Sequence, residues 1–149
     1  MAKTVADLAP DLSTHFPRSP RKTLAGYVIA ARTLDKCRAE IAGTLGDYHF
    51  DCPLDNQFFD FAKVKAASFR DFAATGANDQ EMEEWIKTYA DPRGTKEIIA
   101  WNNKMRYTRP VDMPIELQEF LESYIPRYLP EGKVVNYWFD VYDIEEGRI

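Results

Sequence analysis

Cysteine is scarce in this chain. Only Cys37 and Cys52 occur, too few for a disulfide scaffold and without the paired C-x-x-C spacing of a zinc site. Long apolar runs are missing as well. The longest uncharged, mostly apolar stretch, Thr23 to Ala31, falls far short of the roughly 20 residues a membrane span requires, and the first residues lack a signal-peptide core. A cytoplasmic protein with no membrane partner is therefore expected. There is no Lys/Arg run, and 19 basic against 24 acidic residues leave a net charge of −5. Nucleic acid is an improbable partner for that balance, because such affinity comes largely from phosphate neutralisation. Neither G-x-x-x-x-G-K-[ST] nor G-x-G-x-x-G occurs, so Gly43 and Gly46 make no phosphate loop, and His15, His49, Cys52 and the carboxylates match no metal-ligand spacing.

What remains is an ordinary globular composition: 149 residues, 45% hydrophobic and 29% charged. A chain of this size folds to roughly 7,800 Å² of surface from about 25,000 Å² unfolded, which suffices for one core. The charge is unevenly spread. Residues 1–45 carry seven basic and four acidic groups, 46–110 nine and eleven, and 111–149 three and nine. The basic residues Arg18, Arg21, Lys22, Arg32, Lys36 and Arg38 suit either a small anion or pairing with the acidic C-terminal third.

Three prolines between Ala9 and Pro20 disfavour helix, which makes residues 1–21 an extended N-terminal arm packed on a helical domain of residues 22–149. From Lys22 to Ala42 apolar residues recur at Leu24, Tyr27, Val28, Ala31, Leu34 and Ile41, the spacing of a helical face, with Gly43 as its stop. Gly43 to Asp51 reads as a loop. Asp51 or Cys52 then caps a helix with Pro53 in its first turn and Leu54, Phe58, Phe59 and Phe61 inward. Further helices are expected over Lys65–Thr75, closed by Gly76; after Asn78, with Met82, Trp85, Ile86 and Tyr89 inward; from Thr95, with Ile98, Ile99, Trp101 and Met105; and from Asp112, with Leu117, Phe120, Leu121, Tyr124 and Tyr128, kinked or stopped by Pro126. The Val134–Ile144 tail fits strand by composition and helix by spacing. Helix is chosen, because a lone strand has no partner here. The fold class is accordingly all-α, a compact multi-helix bundle.

Three groups of residues break the pattern. Asp35 and Arg38 fall inside the apolar stripe of the first long helix, about +20° and −40° from the direction of Leu24. A charge pair facing the core is either an internal salt bridge that pins loops or the lining of a pocket. Cys37 falls on the opposite, polar side. The second group is Tyr48, His49, Asp51, Cys52 and Asp55, at a helix N-terminus able to lower a thiol pKa and attract anions, so a nucleophilic Cys52 with His49 as base stands beside a plain loop anchor. The third is Trp101 and Asn102, where Asn102 either caps a loop or meets a ligand.

F-P-R-S-P-R at Phe16–Arg21, L-A-G-Y at Leu24–Tyr27, L-D-K-C-R-A at Leu34–Ala39, G-T-L-G-D-Y-H-F-D-C-P-L-D at Gly43–Asp55 and A-W-N at Ala100–Asn102 resemble a bacterial family catalogued only as a domain of unknown function. The resemblance runs from about Asp11 to the W-F-D ending at Asp140. Ala25 stands where the family pattern has a second glycine, as in L-G-G-Y, a departure expected to tighten helix packing there. The resemblance implies one compact unit and carries over no activity, cofactor or site residue.

Two functions remain open. One is a site for a small polar or anionic ligand where Asp35 and Arg38 meet the Tyr48–Asp55 loop, with Trp101 and Asn102 as walls. The other is an interaction module that docks a partner or a second copy through Tyr137, Trp138, Phe139 and Tyr142 or through the basic arm. No reaction and no cofactor are specified by either.

Overall fold

A computed structural model describes residues 3–149. Among them the chain is all-helical, with strand pairing limited to an isolated bridge between Leu24 and Tyr27. It divides into two compact units, Met1–Gly94 and Thr95–Ile149.

The first unit holds α1 (Val5–Leu8), α2 (Ala30–Ala42), α3 (Pro53–Ala62), α4 (Ala66–Ala73) and α5 (Asp79–Tyr89). Helix α2 packs against α1, α3 and α4. Its first ten residues, Ala30 to Ala39, are all buried, so this helix has no solvent face on that stretch. It ends as expected at Gly43, whose left-handed φ of 77° lets its N–H reach the Ala39 and Glu40 carbonyls.

The start of α2 corrects the sequence reading, which began the helix at Lys22. Leu24 and Tyr27 exchange backbone hydrogen bonds of 3.0 Å in both directions, around Ala25 at φ 53° and Gly26 at φ 86°. Positive φ at both central residues is the pattern of a two-residue hairpin turn. Ile29 follows at φ 74° and enters α2 by accepting the Thr33 N–H at 3.0 Å. Leu24, Tyr27, Val28 and Ala31 are buried, but the first two belong to a tucked turn and Val28 to the link that follows it, at a spacing that coincides with a helical stripe. Ala25 therefore tightens no helix packing; it occupies a conformation that favours glycine.

Pro53 opens α3 with Cys52 as its N-cap, and Leu54, Phe58 and Phe59 are buried. Phe61 is half-buried under the Arg93 guanidinium, 4.0 Å from the ring centroid. Phe58, Phe59 and Phe69 meet edge-on or tilted at 5.4–6.3 Å, the geometry that ring quadrupoles prefer. Asn78 caps α5 reciprocally: its side chain accepts the Glu81 N–H at 2.8 Å, and the Glu81 carboxylate accepts the Asn78 N–H at 3.1 Å. Met82 and Ile86 are buried, but Tyr89, expected inward, is 65% exposed and leans on Trp85.

The second unit holds α6 (Thr95–Arg106), a 3-10 turn (Pro110–Asp112), α7 (Ile115–Tyr128) and α8 (Trp138–Glu145). The helix expected from Asp112 begins at Ile115, after Pro114. Pro126 lies in the last turn of α7, which runs two residues beyond it. Leu121 is buried, whereas Phe120 and Tyr128, expected inward, are exposed. The tail is helical, as its spacing indicated. It starts only at Trp138, where the Asp140 carboxylate accepts the Asn136 and Tyr137 N–H groups at 3.0 Å each. Among the described residues no helix is long and apolar enough to cross a membrane.

Candidate functional site

Helix geometry places Asp35 and Arg38 of α2 in one cluster and Thr33 and Lys36 in another. At 100° per residue, Lys36 lies about 60° from Thr33, while Asp35 and Arg38 lie about 160° and 140° away on either side of the opposite face. Each cluster meets a different part of the first unit.

On one face, Asp35 accepts the Arg18 backbone N–H at 2.8 Å, Arg18 Nε at 3.1 Å and Arg18 Nη2 at 3.0 Å. Arg18 Nη1 continues to Asp79 at 2.8 Å, and the other Asp79 oxygen accepts Arg38 Nη1 at 2.8 Å. Arg38 Nη2 ends the chain on the Ala77 carbonyl at 2.8 Å. Asp35 and Arg38 thus bind residues outside their helix and are joined through Arg18 and Asp79. Burial by itself would lower the Arg18 pKa, but hydrogen bonds and charge from Asp35 and Asp79 leave it raised. Burial likewise pushes Asp79 up, and the guanidiniums of Arg18 and Arg38 outweigh it, holding that carboxyl below its ordinary range. The arrangement pins the Pro17–Arg18 segment and the start of α5 to α2. The salt-bridge alternative fits this face, since its donors and acceptors are largely occupied.

On the other face, Asp55 of α3 is fully buried and accepts Thr33 Oγ1 at 2.6 Å. Lys36 Nζ stands 2.9 Å from the same Asp55 oxygen, and both side chains are buried. The other Asp55 oxygen accepts the Cys52 N–H at 3.4 Å. Lys36 Nζ also donates to Cys52 Sγ at 3.2 Å. Cys52 is half-buried. A thiol at the N-cap of a helix is thereby backed by a buried ammonium, itself held by a buried carboxylate.

The remaining candidates are dispersed. His49 and Asp51 are exposed, and among the described residues neither side chain hydrogen-bonds to this cluster. The base imagined for Cys52 is replaced at the sulfur by Lys36. Tyr48 is half-buried, with the Arg32 guanidinium 5.6 Å from its ring centroid. Trp101 is half-buried and Asn102 buried, both on α6 in the second unit. Cys37 does not face a polar side, because α2 has none there; it is fully buried, and burial pushes its thiol up to about 12. Both cysteines are free. Among the described residues no group of three or more His, Cys, Asp or Glu is arranged to hold a metal. Of the tail aromatics considered for docking, Trp138 and Phe139 are buried and Tyr137 and Tyr142 half-buried.

Thr33 is not singled out by the sequence, and Lys36 enters there only as one of six basic residues suited to an anion or to pairing. The available signal was their i, i+3 spacing on one helical face, but nothing local identifies Asp55, twenty-two positions beyond Thr33, as their partner.

The geometry defines an all-helical chain with a thiol–ammonium–carboxylate cluster between two helices. The chain belongs to the family described as "Domain of unknown function (DUF5069)", which matches residues 14–148. No curated protein matches it. The segments that carried the resemblance contain Arg18, the Leu24–Tyr27 turn, Asp35, Lys36, Arg38, Cys52 and Asp55.

Proposed function

We propose that this chain is a small-molecule-binding domain whose site is the N-terminal end of α3, with Cys52 as the reacting or contacting thiol and small anionic electrophiles as its ligand class. The observation that carries this reading is Lys36 Nζ at 3.2 Å from a half-buried Cys52 Sγ. A thiol reacts as its thiolate, and a neighbouring cation and helix N-terminus both favour negative charge arriving at or forming on sulfur. Asp35 and Arg38, first considered as part of the site, take a structural role in this proposal. It invokes neither nucleic acid nor membrane. A cytoplasmic location fits two free thiols, because reducing compartments preserve them.

Alkylation kinetics test the proposal. Iodoacetate is anionic and iodoacetamide neutral, so the ratio of their rates at Cys52, normalised to glutathione, reports the electrostatics of the site. A normalised ratio above one is expected, with a fall toward one in Lys36→Gln and in the charge-free pair Lys36→Met/Asp55→Leu. A ratio at the glutathione value in the wild-type protein would remove the basis for an anionic ligand.

A further inference from the structure

We infer that Cys52 and Lys36 form a reversible covalent pair: hydrogen peroxide oxidises the Cys52 sulfur, and Lys36 Nζ captures it as a sulfur–nitrogen bond. This inference rests on reading Cys52 as a reactive thiol.

Access to the two partners is unequal. Cys52 is half-buried, whereas the Lys36 side chain is almost entirely enclosed. An oxidised cysteine is normally resolved by a thiol or by a nearby nitrogen. The other cysteine, Cys37, is fully buried, with its thiol pushed up to about 12, and makes a poor resolving thiol. The nitrogen already in contact with Sγ is Lys36 Nζ, at 3.2 Å.

The chemistry balances within this cluster. One peroxide oxygen bonds to Sγ and the O–O bond breaks; sulfur loses two electrons, peroxide is reduced, and sulfenic acid and one water result. The Lys36 ammonium passes a proton to the Asp55 carboxylate, 2.9 Å away, freeing the nitrogen lone pair. That pair forms the S–N bond as the S–O bond breaks, and the hydroxyl leaves as a second water with a proton from nitrogen. Thiol, amine and peroxide thus give a sulfenamide and two waters, and the chain loses two hydrogens. Asp55 finishes neutral beside a neutral nitrogen, so no unpaired charge is left buried. A dithiol reverses the link, becoming a disulfide as Cys52 and Lys36 are restored.

The test is hydrogen peroxide treatment of Cys37→Ala protein, which cannot form an internal disulfide, followed by intact mass and peptide mapping. A mass lower by two hydrogens is expected, with loss of tryptic cleavage after Lys36, a joined Lys36–Cys52 peptide, and recovery with dithiothreitol. Adding Lys36→Arg keeps the positive charge but supplies no attacking amine, so its Cys52 is expected to gain one oxygen and be trapped by dimedone. Cleavage after Lys36 undiminished in the oxidised protein, with Cys52 trapped by dimedone, would overturn the covalent pair while leaving the alkylation preference intact. A Cys52 that neither oxidises nor alkylates would overturn both readings.

Discussion

Asp55 shows how a charged residue survives complete burial. An isolated carboxylate removed from water is strongly disfavoured, but this one has the Lys36 ammonium, the Thr33 hydroxyl and the Cys52 N–H as partners. Removing one member leaves the other charge uncompensated, so Asp55→Ala is expected to destabilise the chain by about 3–5 kcal/mol. Replacing both charges, as in Lys36→Met/Asp55→Leu, is expected to recover most of that loss, because apolar groups of similar volume repack without a desolvation cost. Urea titration of Asp55→Ala and of the double variant checks both statements. A single-variant loss below about 1 kcal/mol, typical of exposed pairs, would show that the pair is hydrated. At this scale the sequence was partly legible. Cys52 and Asp55 stand out because a helix N-terminus has local signs, Pro53 in the first turn and an acid two residues on. Thr33 did not stand out, and Lys36 was one of six basic residues with no indicated partner, since their significance comes from a helix that approaches through folding.

The Leu24–Tyr27 turn was hidden from periodicity. Leu24 and Tyr27 of the turn and Val28 after it fell at the offsets of the stripe that Ala31, Leu34 and Ile41 continue in α2, and Gly26 alone was a weak breaker. The informative residue was Ala25, at the position where the resembled family has glycine. A non-glycine residue in the left-handed region costs roughly 1–2 kcal/mol, while glycine costs about 0.5–1 kcal/mol more unfolded-chain entropy than alanine. Ala25→Gly is therefore expected to raise stability, by up to about 1 kcal/mol, measured as a shift in the urea midpoint at constant slope. A decrease would mean that the turn carries no strain at Ala25. At the start of α5 the signals agreed, and Asn78 forms the cap that its sequence position indicated. Asn78→Ala is expected to cost about 1 kcal/mol. An unchanged midpoint would show that the Glu81 half of the capping box suffices.

At the scale of the whole chain, helical class was legible because 3 to 4 spacing recurs in nearly every segment. The division into Met1–Gly94 and Thr95–Ile149 was not, since periodicity identifies buried faces without naming what covers them. The same limitation explains why one polar site was expected where α2 carries two opposed clusters. The Asp35–Arg18–Asp79–Arg38 chain ties the Pro17–Arg18 segment, α2 and α5 together, so its titration bears on the unit as a whole. Asp79 is held below its ordinary range in the folded protein, burial opposing the shift and Arg18 and Arg38 outweighing it. The unfolded chain therefore binds more protons at Asp79 than the folded chain as pH falls below about 4. Its contribution to stability is present above the unfolded value and lost as pH drops through the folded one. Urea midpoints measured from about pH 5 down to pH 2 should fall in the wild-type protein and fall less steeply in Asp79→Asn, which keeps the shape of the side chain without its titration. Equal slopes would show that acid sensitivity arises at other carboxylates and that Asp79 does not hold the Pro17–Arg18 segment and α5 to α2 through its charge.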